Sequence, residues 1–104
     1  MSSLPLAKLE HYYSLYALYH SLLTEKQQKY FREYFVNNLS LQEIAKKLKV
    51  SRNVVSDSLQ KTMKLLDDYE KKLHLYQKYQ ARKKIYDKHS DCQFVLKLKE
   101  IDKI

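Results

Sequence analysis

The sequence predicts an all-α protein built around a helix-turn-helix, with a long fourth helix and a short C-terminal helix, and three observations predict it. The chain of 104 residues contains no glycine and one proline, whereas hairpin turns and phosphate-cradling loops lean on glycine. Its apolar residues recur at spacings of three and four, the period of one helix face. Thr24 to Gln27 and Ser40 to Glu43 each have the form of a capping box, a hydroxyl residue followed three positions later by Gln or Glu.

The first helix is expected from Pro5 to about Leu22, with proline in the first turn. Leu9, Tyr12, Tyr13, Tyr16, Tyr19 and Leu23 share one face, which Leu15, Leu18 and Leu22 widen. A stripe this broad calls for burial on two sides, with the tyrosine hydroxyls kept near water. The second helix begins at the Thr24 cap, presents Tyr30, Phe31, Tyr34 and Phe35, and ends at Val36-Asn37-Asn38, because Asn tolerates the left-handed conformation. The third begins at the Ser40 cap, turns Leu41, Ile44, Ala45 and Leu48 inward, and stops near Lys49.

Ser51 is the expected cap of the fourth helix, which meets no strong breaker before about His89. Val55, Leu59, Thr62, Leu66, Tyr69, Leu73 and Tyr76 form a heptad-like seam that must pack on the first helix, on a partner chain, or on both. A last helix is expected from Cys92 to about Lys103, capped by Ser90 or Asp91, with an apolar stripe of Phe94, Val95, Leu98 and Ile101. Residues 1–80 then form a helix-turn-helix domain holding most of the long helix, and 81–104 a basic, partly helical extension.

The third and fourth helices fit the helix-turn-helix position by position. Ala45 is small where the second helix of the motif crosses, Leu48 and Val50 fill the space under the turn, and Val55 and Leu59 pin the recognition helix to the core. Lys49 stands at the turn position where glycine is common, and is expected to take positive φ at a cost of about 1 kcal/mol. Arg52, Asn53, Ser56, Asp57 and Gln60 are left facing outward, and the candidate nucleic-acid contacts of the recognition helix are Ser51, Arg52, Asn53, Ser56, Gln60 and Lys61. Asp57 on this face repels phosphate.

Net charge is +8, which favours an anionic partner. It is unevenly spread. Residues 51–70 carry three Lys/Arg against four Asp/Glu, and residues 71–104 carry ten against four. The basic tail, with Lys78, Arg82, Lys83, Lys84 and Lys88, is therefore a second candidate for phosphate contact. The four histidines are scattered, and no nucleophile stands at a recognisable spacing from a base, so no enzyme activity, catalytic residue or cofactor is expected. His89 and Cys92 are three apart, but two ligands do not make a metal site. One cysteine cannot form an internal disulfide, apolar runs of four or five residues are far too short for a membrane span, and Met1 to Ala7 lack the pattern of a secretion signal. A cytoplasmic protein without membrane insertion is the expectation.

Leu23-Thr-Glu-Lys-Gln-Gln-Lys-Tyr30, Tyr34, Leu39-Ser-Leu-Gln-Glu-Ile-Ala45, Val50-Ser-Arg52, Val55-Ser-Asp-Ser-Leu59 and Leu65-Leu-Asp-Asp-Tyr-Glu-Lys-Lys-Leu73 together resemble the YlxM family over about residues 6–80. These are small bacterial proteins whose helix-turn-helix is similar to region 4 of sigma factors and not to a winged helix. The resemblance implies a part in the signal recognition particle pathway, with the particle's GTPase or RNA as partner. In the recognition helix Asp57 is kept, but Ser56 stands where the family often has an aromatic residue.

Three functions stay open at this point. The chain is a regulatory adaptor of the signal recognition particle, a DNA-binding regulator using Arg52, Asn53 and Gln60, or an interaction protein whose basic tail is a solvated face. The seam and the tyrosine-rich first helix also lead us to expect a homodimer.

Overall fold

A computed structural model describes residues 4–103, so Met1 to Ser3 of the start read above lie outside the described residues. The helices are α1 (Leu6–Tyr19), α2 (Glu25–Phe31), α3 (Leu41–Leu48), α4 (Arg52–Leu73), α5 (Leu75–Lys88) and α6 (Gln93–Asp102). No strand occurs among the described residues. The chain divides into two compact units, one ending at Leu73 and the other beginning at His74.

In the first unit the expected caps form. The Thr24 and Ser40 hydroxyls accept from the backbone N–H of Gln27 and Glu43, and both Gln27 and Glu43 side chains accept in return from the cap backbone. Those N–H groups have no partner inside the helix, so each box satisfies two of them. The backbone and side-chain hydrogen bonds from Ser40 also hold the Glu43 carboxyl below the usual carboxylate range. Ser51 accepts from Val54 N–H at the start of α4. Asn38 and Lys49 both take positive φ, as expected of the two turns. Lys49 N–H reaches Lys46 O and Val50 N–H reaches Ala45 O, the paired bonds of a Schellman C-terminus.

Two helix ends differ from expectation. The first α-helix gives way after Tyr19 to a 3₁₀ turn, His20–Leu22, before Leu23 becomes extended. The second passes into a π-type turn, Arg32–Val36, closed by Asn37 N–H to Arg32 O. This wider turn carries Glu33 into the interior at 6 % exposure. There Lys47 Nζ of α3 lies 2.6 Å from its Oε2, and Asn37 donates to Oε1 at 2.7 Å. Lys47 and Asn37 hold the Glu33 carboxyl below its ordinary range although burial pushes the other way.

The core of this unit draws on the apolar set the spacing marked, but the broad stripe of the first helix is buried on one side alone: Leu15, Tyr16 and Tyr19 are enclosed while Tyr13, Leu18 and Leu22 are exposed. Leu15, Tyr19, Phe31, Ile44, Val55, Leu59, Thr62 and Leu66 are fully enclosed. Phe31 stacks on Tyr16 at 4.3 Å and on Phe35 at 4.1 Å. The seam of α4 is thus filled from within the chain as far as Leu66, with α1 packed along it. Two tyrosines of α1 add long-range partners to this packing. Tyr12 donates its hydroxyl to Asp67 at 2.9 Å and Tyr19 to Glu70 at 2.7 Å, so these hydroxyls bind carboxylates of α4. Burial, then Asp67 itself, pushes the Tyr12 phenol up to about 12.

The uninterrupted helix expected to about His89 is instead broken: α4 ends at Leu73, and His74 has φ 55°. Histidine is one of the residue types that enters the left-handed region more readily than most, so no glycine or proline marks the break.

The second unit encloses little. Among the described residues Tyr86 of α5 and Val95 of α6 are its buried apolar ones, and neither helix start carries a side-chain cap. Cys92 occupies the N-cap of α6 in place of the expected Ser90 or Asp91. Of the stripe expected on α6, Val95 is buried while Phe94, Leu98 and Ile101 are exposed, Phe94 at 73 %.

Candidate nucleic-acid interface

The recognition helix is the first half of α4. Val55, Leu59 and Thr62 face the core, so the intervening positions must face out. Arg52 and Asn53, and about two turns on Gln60 and Lys61, are exposed. Ser56 is half-buried, with Gln60 Nε2 3.4 Å from its hydroxyl, so these two side chains share one position on the face. The Ser51 hydroxyl is occupied as the helix cap. Val54 is exposed as well, and offers methyl groups of the kind that touch thymine in a major groove.

An open groove of about 410 Å³ runs between this face and the start of α2, with Lys26, Gln27 and Tyr30 on one side and Val54, Asp57 and Lys61 on the other. Lys26 Nζ lies 5.9 Å from the centre of the Tyr30 ring, within cation–π reach. The groove therefore sets the ammonium groups of Lys26 and Lys61 around the one carboxylate, Asp57. Sequence spacing missed Lys26 and Gln27, because their place beside α4 depends on how α2 crosses it. The signal available was the Thr24 capping box, which fixes where α2 begins but not what it faces.

In the second unit Lys78, Lys83, Lys84 and Lys88 are exposed. Arg82 is half-buried and its Nε lies 3.3 Å from Asp102 Oδ2, so its charge is spent in joining α5 to α6. A second groove, of about 380 Å³, lies between these two helices, with Tyr79, Lys83, Tyr86 and Asp87 from α5, Lys99 and Asp102 from α6, and Lys103 just beyond it. Lys99 Nζ lies 6.0 Å from the centre of the Tyr86 ring. Burial, and then Asp102, pushes the Tyr86 phenol up. The fold brings Lys99 and Lys103 together with Lys83.

Among the described residues no group of three or more His, Cys, Asp or Glu is placed to hold a metal ion. No described helix is long and apolar enough to cross a membrane.

Residues 6–104 match the family UPF0122, described as "Putative helix-turn-helix protein, YlxM / p13 like". Similar proteins include a UPF0122 protein of Streptococcus suis strain 98HAH33, 41% identical over 87 residues, which is 84% of this chain and 77% of that one. UPF0122 proteins of Streptococcus mutans and of Streptococcus pneumoniae strain Hungary19A-6 are each 45% identical over 74 residues, 71% of this chain and 67% of theirs.

Proposed function

The chain belongs to the UPF0122 family of helix-turn-helix proteins, and from that premise we propose that it is a non-enzymatic regulatory protein of the signal recognition particle pathway, binding the particle's RNA, its GTPase or both in the cytoplasm. The observation that carries the RNA part is the second unit, which exposes Lys78, Lys83, Lys84 and Lys88 around a core of two side chains. A surface so basic on so slight a core is suited to phosphate attraction more than to structural packing. The YlxM resemblance supplies the pathway.

Pull-down of the full chain from lysate, with and without nuclease, tests this directly. The particle's RNA should be retained, its affinity falling steeply as salt rises. Deleting residues 81–104 should weaken RNA binding more than Arg52→Ala does. Equal effects of the two changes, or no retained RNA, sink the reading.

A second reading, a transcriptional regulator that binds duplex DNA, is favoured by one observation: Arg52, Asn53, Gln60 and Lys61 are exposed in two pairs about two turns apart on α4, with Lys26 across the groove from Lys61. It requires that selection from random duplexes return a consensus that Arg52→Ala no longer binds.

Self-association belongs to the same proposal. The exposed Phe94, Leu98 and Ile101 of α6 support it, and light scattering at micromolar concentration should give twice the 12.6 kDa chain mass.

A further inference from the structure

We infer that the groove between α5 and α6 is a subsite for one nucleotide of single-stranded RNA. The inference rests on the RNA reading above and says where, and by what chemistry, an unpaired residue is held.

The argument starts from charge. Lys83, Lys99 and Lys103 bring three ammonium groups to the groove from two helices. Two carboxylates also line it. Asp102 is already engaged by Arg82 at 3.3 Å, which leaves Asp87 as the carboxylate with acceptor capacity toward a ligand. Three cations against one such carboxylate favour a ligand with a phosphate.

The second step is the ring. Tyr79 lies at the groove and is 39 % exposed. An exposed aromatic beside lysines is the stacking platform of single-strand binders, since every base has a π-face. A base already paired and stacked in a duplex has no face to offer, so the platform selects unpaired residues. An acidic peptide would satisfy the lysines and leave Tyr79 without a role. Tyr86, buried beneath Lys99, is the floor and takes no base.

The third step is Asp87. Next to phosphate it costs affinity, so a useful role requires a donor on the ligand. The ribose 2′-hydroxyl is such a donor and is the group that tells RNA from DNA. Asp87 therefore makes the subsite prefer RNA.

The test uses the full chain and fluorescence anisotropy with a ten-residue oligouridylate and the matching oligodeoxyuridylate, which differ in the 2′-hydroxyl alone. The RNA should bind at least threefold more tightly than the DNA. Tyr79→Ala should weaken RNA binding at least fivefold, while Tyr79→Phe, which keeps the ring, stays within twofold. Asp87→Ala should bring RNA and DNA to the same affinity. Ser21→Ala, an exposed and uncharged position in the other unit, should change binding less than twofold. Circular dichroism checks that each variant keeps the wild-type helix content.

Absence of oligouridylate binding, no RNA preference, or no effect of Tyr79→Ala overturns the subsite, as does competition by polyglutamate equal to that by oligouridylate. Retention of the particle's folded RNA is measured beside it. If that RNA is kept and the subsite results fail, the subsite alone falls; if oligouridylate binds as described and the folded RNA is not kept, the pathway reading falls instead.

Discussion

The two units of this chain are both helical, both rich in lysine, and built to opposite balances. The unit ending at Leu73 encloses eight side chains completely and starts α2, α3 and α4 with hydroxyl caps. The unit beginning at His74 buries Tyr86 and Val95 and starts α5 and α6 with no side-chain cap. Burial of apolar surface is the dominant favourable term in folding, and a cap adds about 1 kcal/mol. The first unit is therefore where stability resides. The second is free to expose charge, because little of its surface is needed for a core. Helical spacing alone does not distinguish the two, since Phe94, Val95, Leu98 and Ile101 of α6 recur at one-turn intervals as Leu41, Ile44, Ala45 and Leu48 of α3 do. The caps and the enclosure do.

The largest test of this contrast is a cavity in each unit. Leu59 is fully buried where α4 meets the helix-turn-helix core. Leu59→Ala should cost about 2–5 kcal/mol in urea unfolding, a large share of a typical domain's 5–15 kcal/mol. Val95→Ala should leave the main helical transition near its wild-type midpoint, because the element it loosens has little else to lose. Equal losses from the two variants would erase the distinction. Hydrogen exchange should agree, with amides of α5 and α6 exchanging well before those of α3 and α4.

Next in size is the ion pair of the first unit, in which the Glu33 carboxylate is buried while Lys47 reaches it from the surface. Arg82 and Asp102 also form a pair, but both ends are reached by water and such pairs contribute little. Lys47→Met removes the partner of Glu33 and leaves a buried carboxylate with Asn37 alone, and the loss should exceed that of Arg82→Met in urea unfolding. The pH dependence carries the sign. Glu33 has a folded pKa below its unfolded value, so its stabilisation is present above the ordinary carboxylate range and disappears as pH falls through the lower folded value. In Lys47→Met this acid loss should shrink, leaving a flatter stability curve below neutral pH. An unchanged curve would show that Lys47 is not what holds the carboxylate ionised.

A cap deletion is smaller again. Ser40→Ala removes the acceptor for Glu43 N–H at the start of α3 and should cost about 1 kcal/mol. The Glu43 carboxyl should stay below its ordinary range in the variant and rise only part of the way, since the Ser40 backbone N–H, the larger cause of its lowering, is kept and only the side-chain bond is lost. A loss above about 2 kcal/mol would mean that the cap also holds the entry angle of the helix-turn-helix.

Much of the first unit was legible because its signals are local. Thr24 with Gln27, Ser40 with Glu43, and Ser51 each act within three or four residues, and the positive φ at Lys49 follows from the template of one motif. What was not legible depends on contacts far along the chain. The hydroxyls of Tyr12 and Tyr19 reach Asp67 and Glu70, more than fifty residues away. Lys26 joins the recognition face because α2 crosses α4, and Lys99 joins Lys83 because α6 lies along α5. The break at His74 was hidden for a different reason: histidine enters the left-handed region without the glycine that usually announces a helix end. The stripe of α6 was read correctly as a pattern, but a pattern cannot say whether anything covers it.

The smallest prediction concerns backbone conformation and joins the two units at their turns. Asn38, Lys49 and His74 all have positive φ, and none is glycine. Lysine is the least suited of the three, because it lacks the local hydrogen bonding that helps Asn and its Cβ crowds the following carbonyl. Glycine removes that crowding but makes the unfolded chain more flexible, so the net gain is a difference of two opposing effects. Lys49→Gly should raise the stability of the first unit by up to about 1 kcal/mol, read as an upward shift of the thermal midpoint. The Schellman bonds around Lys49 keep the turn in place in the variant, since they use backbone groups alone. His74→Gly should leave that midpoint almost unmoved, because the residue it relaxes lies outside the core that melts. A rise of equal size at both positions would mean that α4 and α5 unfold as one cooperative body, and the two units would then be one in energetic terms.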